Sequence, residues 1–135
     1  MTNLNPFKIF NLEYKFKIEQ MHLMLQFAQL QKEHHPDSHT TNHSKSLDIT
    51  HAFEILKNEI KRGEAILEIH NVSLSSINIP QEFLIQLIEC EPHEAQELFE
   101  KQKEQLLAFE AINQNNVALF AIEFLKYKYL KSKLF

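Results

Sequence analysis

The apolar positions of this chain fall into blocks whose period changes along its length. Residues 5–18, NPFKIFNLEYKFKI, set Phe7, Ile9, Phe10, Leu12, Tyr14, Phe16 and Ile18 in partial alternation with polar residues, a pattern that a strand also produces. No credible partner strand occurs elsewhere, so the stretch is read as an irregular apolar lead-in, followed by a short helix or none, packed over the core. From Glu19 to His34, Met21, Met24, Leu25 and Ala28 recur at i, i+3, i+4 and i+7, and Leu23, Phe27 and Leu30 widen the stripe. That spacing predicts an amphipathic helix. Pro36 stops it, because its ring clashes with the preceding turn and pushes the residue before it toward extended geometry.

Residues 35–44, HPDSHTTNHS, are polar and turn-forming, and predict an exposed loop. Beyond them Ile49, Ala52, Phe53, Leu56 and Ile60 resume the helical spacing, with Ser44 or Ser46 as the N-capping oxygen. The pattern runs on through GEAILEIH despite Gly63, to Asn71, a residue that tolerates the left-handed conformation at a helix end. The two helices flanking the loop are expected to pack antiparallel on facing stripes.

Residues 71–80, NVSLSSINIP, read as a connector with apolar anchors and mark the one credible boundary, dividing the chain into 1–72 and 73–135. A short helix is expected over 81–90. Pro92 then suits a first helical position with Glu94 near the positive end of the dipole, and Ala95, Leu98, Phe99, Leu106 and Phe109 carry the period through 92–112. NQNN at 113–116 turns the chain into a last helix bearing Val117, Phe120, Ala121, Phe124 and Leu125. The second half is therefore a helical hairpin with a third, shorter helix against it.

Composition agrees with this all-α reading. A single glycine among 135 residues leaves little turn chemistry for sheets, and 44% of the residues are apolar, enough for one ordinary core. The formal net charge of −4 disfavours attraction to phosphate backbones, so nucleic acid is not an expected partner. No run of apolar residues is long enough for a membrane span. Cys90 has no second cysteine to pair with, and no apolar N-terminal run precedes a small-residue cleavage site. A cytoplasmic, reducing environment is the expectation.

His35-Pro36-Asp37 is the strongest chemical signal, since an amphipathic helix precedes it and another follows its loop. By itself the tripeptide also reads as a plain helix stop, as proline commonly follows helix ends and aspartate is ordinary in loops. His35, His39 and His43 are spaced by four, which on a continuous helix would place three imidazoles on one face for zinc, but Pro36 breaks that helix. No metal or other cofactor is expected. No glycine-rich phosphate loop or serine elbow accompanies His35 and Asp37, so the chain is not expected to be an enzyme.

Residues 5–70 resemble a J-domain, the module with which co-chaperones of the DnaJ class engage DnaK-type ATPases, through PFKIFNLEYKF, FAQLQKEHHPD and ITHAFEILKNEIKRGEAIL. Within that class the chain is similar to the HscB family of iron–sulfur cluster assembly, with Ala52, Phe53, Leu56, Arg62 and Leu67 in the register of that family's helix after the motif. EFLIQLIECEPHEA and IEFLKYKYL resemble the start and the last helix of its C-terminal bundle. The resemblance implies that His35, Pro36 and Asp37, with Lys32, engage the HscA- or DnaK-type ATPase. It also implies that Leu84, Ile85, Ile88, Glu89 and Phe124 form a patch for the IscU scaffold. Apolar residues at helical spacing also describe core packing, and the pattern leaves both readings open for the patch positions. The chain departs from the family in Ser38, where a basic residue usually follows the motif, and in a helix before it whose only Lys or Arg is Lys32.

Overall fold

The computed structural model of the chain describes residues 4–34 and 43–135, among which the regular secondary structure is all helical, without a strand. The elements are α1 (Pro6–Ile9), α2 (Gln20–Glu33), α3 (His43–Lys57), α4 (Glu59–Ile69), a 3-10 turn at Leu74–Ser76, α5 (Gln81–Glu89), α6 (Pro92–Leu107) and α7 (Val117–Leu134). The apolar lead-in is the short α1 followed by irregular chain, and Phe7, Phe10 and Phe16 from it are fully buried.

α2 and α3 form the expected hairpin, with the Phe27 and Phe53 rings stacked at 4.1 Å. The face that α2 buries is not the expected one. Leu23 is in the core with Phe27 and Leu30 packed against it, whereas Met21, Met24 and Leu25 are 64%, 57% and 63% exposed. Apolar side chains surround most of this helix, so periodicity alone leaves its rotation open. The phase is set by Phe53 opposite Phe27 and by polar bonds on the same side. Gln26 donates to the Phe10 carbonyl at 2.9 Å, and Gln31 donates to Thr50 Oγ1 and accepts from Ser46 Oγ, both at 2.8 Å.

The expected long third helix is two. α3 starts at His43, which places Ser44 and Ser46 inside its first turn, and the chain breaks at Asn58, whose extended backbone (φ −100°, ψ 119°) precedes α4. The Asn58 carboxamide oxygen accepts from the Ile60 and Lys61 amides at 3.0 Å, which supplies α4 with an N-cap. Asn71 closes α4 in the left-handed conformation at φ 60°. In the second half Pro92 opens α6, and the Glu91 amide donates to the Glu94 carboxylate at 3.4 Å. α6 ends at Leu107, earlier than its apolar period suggests, and packs along α7.

One buried cluster runs from Phe7 to Leu130 and joins residues on both sides of the connector. Phe16 lies at its centre, with its ring about 6.1–6.2 Å from those of Phe120, Phe124 and Tyr127. The Arg62 guanidinium sits 5.1 Å from the Phe16 ring and donates to the Leu56 carbonyl at 2.7 Å. Gly63 lets α4 lie against α7, because a Cβ there would fall on the Phe124 ring. Beside this seam Tyr127 Oη and Lys131 Nζ both donate to Glu59 Oε1, the lysine at 2.9 Å. Lys128 pairs with Glu64 at 2.8 Å, and the Ile112 amide donates to the Tyr14 carbonyl at 2.6 Å.

Burial works to raise the Glu59 carboxyl, but the bonds from Tyr127 and Lys131 together hold it below its ordinary value. Burial first, and then the bond to Glu59, pushes the Tyr127 phenol far above its usual range. A lowered carboxylate contributes stability above its unfolded pKa and loses it as pH falls through the folded value. Glu59→Gln should therefore flatten the loss of stability below about pH 4 in urea titrations across pH, and Tyr127→Phe should cost about 1 kcal/mol at neutral pH. Gly63→Ala is expected to destabilise by about 1–2 kcal/mol through overpacking, in spite of alanine's better helix propensity. Chemical denaturation of the Gly63→Ala, Phe124→Leu double variant should recover part of that loss.

Candidate functional site

Two surfaces carry the residues singled out in the sequence, one on each side of the 71–80 connector. The first is the end of the α2–α3 hairpin. α2 closes at Glu33, with His34 donating its amide to the Leu30 carbonyl at 3.1 Å, and α3 starts at His43. His35, Pro36 and Asp37 lie outside the described residues, as do Ser38 and His39. The residues that carry them are well fixed. The Gln31 bonds to Ser46 and Thr50 tie the last turns of α2 to the first turns of α3 and brace the described end of the hairpin. A cleft of about 310 Å³ opens there, lined by Ile9, Leu30, His34, Lys45, Asp48 and Ile49. Lys32 is exposed on the last turn of α2.

The second surface is on α5. This helix turns Leu87 into the core and lays the half-buried Phe83 under the Lys126 ammonium, 5.6 Å from the ring centre. The opposite side is open. Leu84 is half-buried, Ile85 is 52% exposed, Ile88 is 79% exposed, and Glu89 is exposed beside them. A nine-residue helix buries one narrow stripe, so isoleucines just off the Leu87 line face solvent. Ile85 and Ile88 are thus adjacent apolar side chains on the open side of α5, with the Glu89 carboxylate at their rim.

Phe124 corrects the patch suggested by resemblance. It is fully buried, stacked on Phe120 at 5.7 Å, and fills the space that Gly63 leaves on α4. In this fold it supports the seam between α4 and α7 and does not share the surface of Ile85 and Ile88. The signal that could have found this was Gly63, the one glycine of the chain, which in a helix interior marks a close approach. The helical period places Met21, Met24 and Leu25 on the buried stripe and so gives no sign of their exposure.

No family model matches the chain. Among curated proteins it is 32% identical over 131 aligned residues to the co-chaperone protein HscB homolog of Pasteurella multocida (strain Pm70), covering 87% of this chain and 76% of that protein. It is 36% identical over 74 residues to the HscB homolog of Haemophilus ducreyi, a match that spans 49% of this chain and 43% of that protein. The fold is similar to the solved structure of chaperone HscB from Vibrio cholerae, with a TM-score of 0.64 over 96% of this chain and 93% of that chain, at 20% sequence identity.

The burial pattern separates surface from core by a stability measurement. Ile85→Ala and Ile88→Ala should each change unfolding free energy by no more than about 0.5 kcal/mol. Phe124→Ala is expected to cost about 3–5 kcal/mol, read by urea denaturation of the three variants.

Proposed function

Because the chain belongs to the HscB co-chaperone family, we propose that it stimulates a HscA- or DnaK-type ATPase through His35-Pro36-Asp37 and brings to it the IscU-type scaffold of iron–sulfur cluster assembly. In this reading residues 1–72 are the J-domain and residues 73–135 carry the scaffold. The observation that carries it is the pairing, on one chain, of a His-Pro-Asp sequence between the two helices of a braced hairpin with an exposed Ile85–Ile88 face on α5.

The chemistry of the first end is that of a trigger. Pro36 holds the exit from α2 in a narrow range of φ, His35 has ring nitrogens to brace the turn, and Asp37 offers an ionised carboxylate to a cationic group. A charge-assisted bond made only with the hydrolysis-competent state of the ATPase shifts that protein toward it, since a ligand moves an equilibrium by its difference in affinity for the two states. The reacting phosphate stays in the partner, and this chain contributes no catalytic group of its own. It acts in the cytoplasm, where its partners' nucleotide and reduced cluster chemistry reside.

The second end supplies the client. Leu84, Ile85 and Ile88 give an apolar centre, and Glu89 gives a polar rim that selects register. Residues 73–135 share a core with the first half, so a bound scaffold is held near the ATPase at high effective concentration even if each contact is modest.

The deciding measurement is the single-turnover ATP hydrolysis rate of the host's HscA- or DnaK-type chaperone with and without the scaffold. Wild type should accelerate hydrolysis and the scaffold should add synergy. Asp37→Asn should lose the acceleration with its melting unchanged, since truncating one side of a desolvated charge pair costs about 2–5 kcal/mol. Ile85→Ala with Ile88→Ala should lose the synergy and keep the acceleration. Acceleration without any scaffold effect would keep the trigger and move the client elsewhere.

A further inference from the structure

α7 turns Phe120, Phe124, Tyr127 and Leu130 into the core and leaves the opposite side of the helix uncovered. Ala118 and Ser132 are exposed there, Tyr129 is 44% exposed, and Ile122 and Leu125 are half-buried. These positions step by four, three, four and three residues, the spacing by which one helix packs along another. Between Leu125, Lys128, Tyr129 and Ser132 the surface carries a shallow hollow of about 210 Å³. Residues at i, i+3, i+4 and i+7 are neighbours on one helix face, and four such residues frame the hole that receives a side chain of a facing helix. The occupant that fits this face is therefore a helix.

The order of side chains says which helix. On either side of Leu125 the seam reads small, Ile, Leu, Tyr, small, with Ala118 and Ser132 each seven residues from the centre. Such a near-palindrome of sizes is complementary to itself when a second copy runs antiparallel, which is what an isologous two-fold interface requires. We propose that two copies of this chain associate through an antiparallel α7–α7 seam centred on Leu125. Leu125 then lies at the two-fold axis against its counterpart, Ile122 enters the hollow of the second copy, and Ala118 stands opposite Ser132. Charge selects the same direction. Residues 117–125 hold Glu123 as their one charged side chain, whereas Lys126, Lys128, Lys131 and Lys133 follow in the second half of the helix. Antiparallel pairing sets the lysines of one copy over the half of the other that has none, and parallel pairing would crowd both sets together. The seam from Ala118 to Ser132 is about 21 Å long, at the small end of specific interfaces, so the association is weak and concentration-dependent. It uses none of the residues assigned to the ATPase or the scaffold.

Sedimentation equilibrium of the full chain, from micromolar to near-millimolar protein, reads the association directly. Wild type should pass from monomer to dimer with no larger species. Tyr129→Lys and Leu125→Lys should each raise the dissociation constant about tenfold or more, a loss of about 1.4 kcal/mol, with circular dichroism as in wild type. Tyr129 is exposed in the single chain, so its variant reports on the seam independently of any stability lost by Leu125→Lys. Direction is read by mild oxidation in a Cys90→Ser background. An equal mixture of Ala118→Cys and Ser132→Cys should give a covalent dimer, and neither variant alone should. A wild type that stays monomeric throughout overturns the proposal. So does a dimer that both lysine variants leave intact, which places it on another face, and so does cross-linking of either cysteine variant alone, which makes the pairing parallel. A monomeric wild type whose Tyr129→Lys variant loses the scaffold's synergy would give this face to the scaffold and overturn the proposal as well.

Discussion

The contact between Gly63 on α4 and Phe124 on α7 is the constraint on which the rest of the molecule depends. Without a side chain at residue 63 the two helices approach closely enough for the Phe124 ring to occupy the gap, and that ring is in turn stacked on Phe120 and set edge-on to Phe16. The lead-in reaches the same point from the other end of the chain, since Phe16 lies between Arg62 and the α7 aromatics. An interior packed this tightly transmits any change of volume to both halves. The polar layer beside it, Glu59 with Tyr127 and Lys131, fixes the rotation of α7 that apolar packing alone would leave loose.

That rigid join gives the two exposed surfaces their meaning. α2 lies in the first half, and α5 displays Ile85 and Ile88 from the second. Two weak contacts on a rigid body act as one strong one when their spacing matches the partners, and fail together when it does not. In the proposed function the aromatic seam serves recognition indirectly, by fixing these surfaces relative to one another from within the core. Phe124 illustrates the point: it is fully buried and holds α4 and α7 together rather than lying on either surface.

The helix content, the α2–α3 hairpin, the short α5, the Pro92 start of α6 and the left-handed Asn71 all follow from local rules that a sequence displays directly: period, ring constraint and capping. The break at Asn58 was harder to see, because an asparagine inside an apolar period reads as an exposed helical position until its side chain is found accepting from two backbone amides. The candidate trigger is legible as a motif, whereas Leu84, Ile85, Ile88 and Glu89 enter only through the resemblance to the family. Phe124 sits in a stripe that fits either patch or core, and its burial decides for the core against the patch role that the resemblance implies.

Sequence by itself determined which segments are helical, where most of them stop, and that a His-Pro-Asp segment follows the second helix. Only the tertiary structure decided which way the helices face. A period of 3.6 residues specifies that apolar positions line up, and leaves their direction open when, as on α2 and α7, apolar residues cover most of the circumference. The direction is chosen by complementary partners far away in sequence: Phe53 and Thr50 turn Leu23 and Phe27 inward and Met21, Met24 and Leu25 outward, and Gly63 draws Phe124 out of reach of any partner.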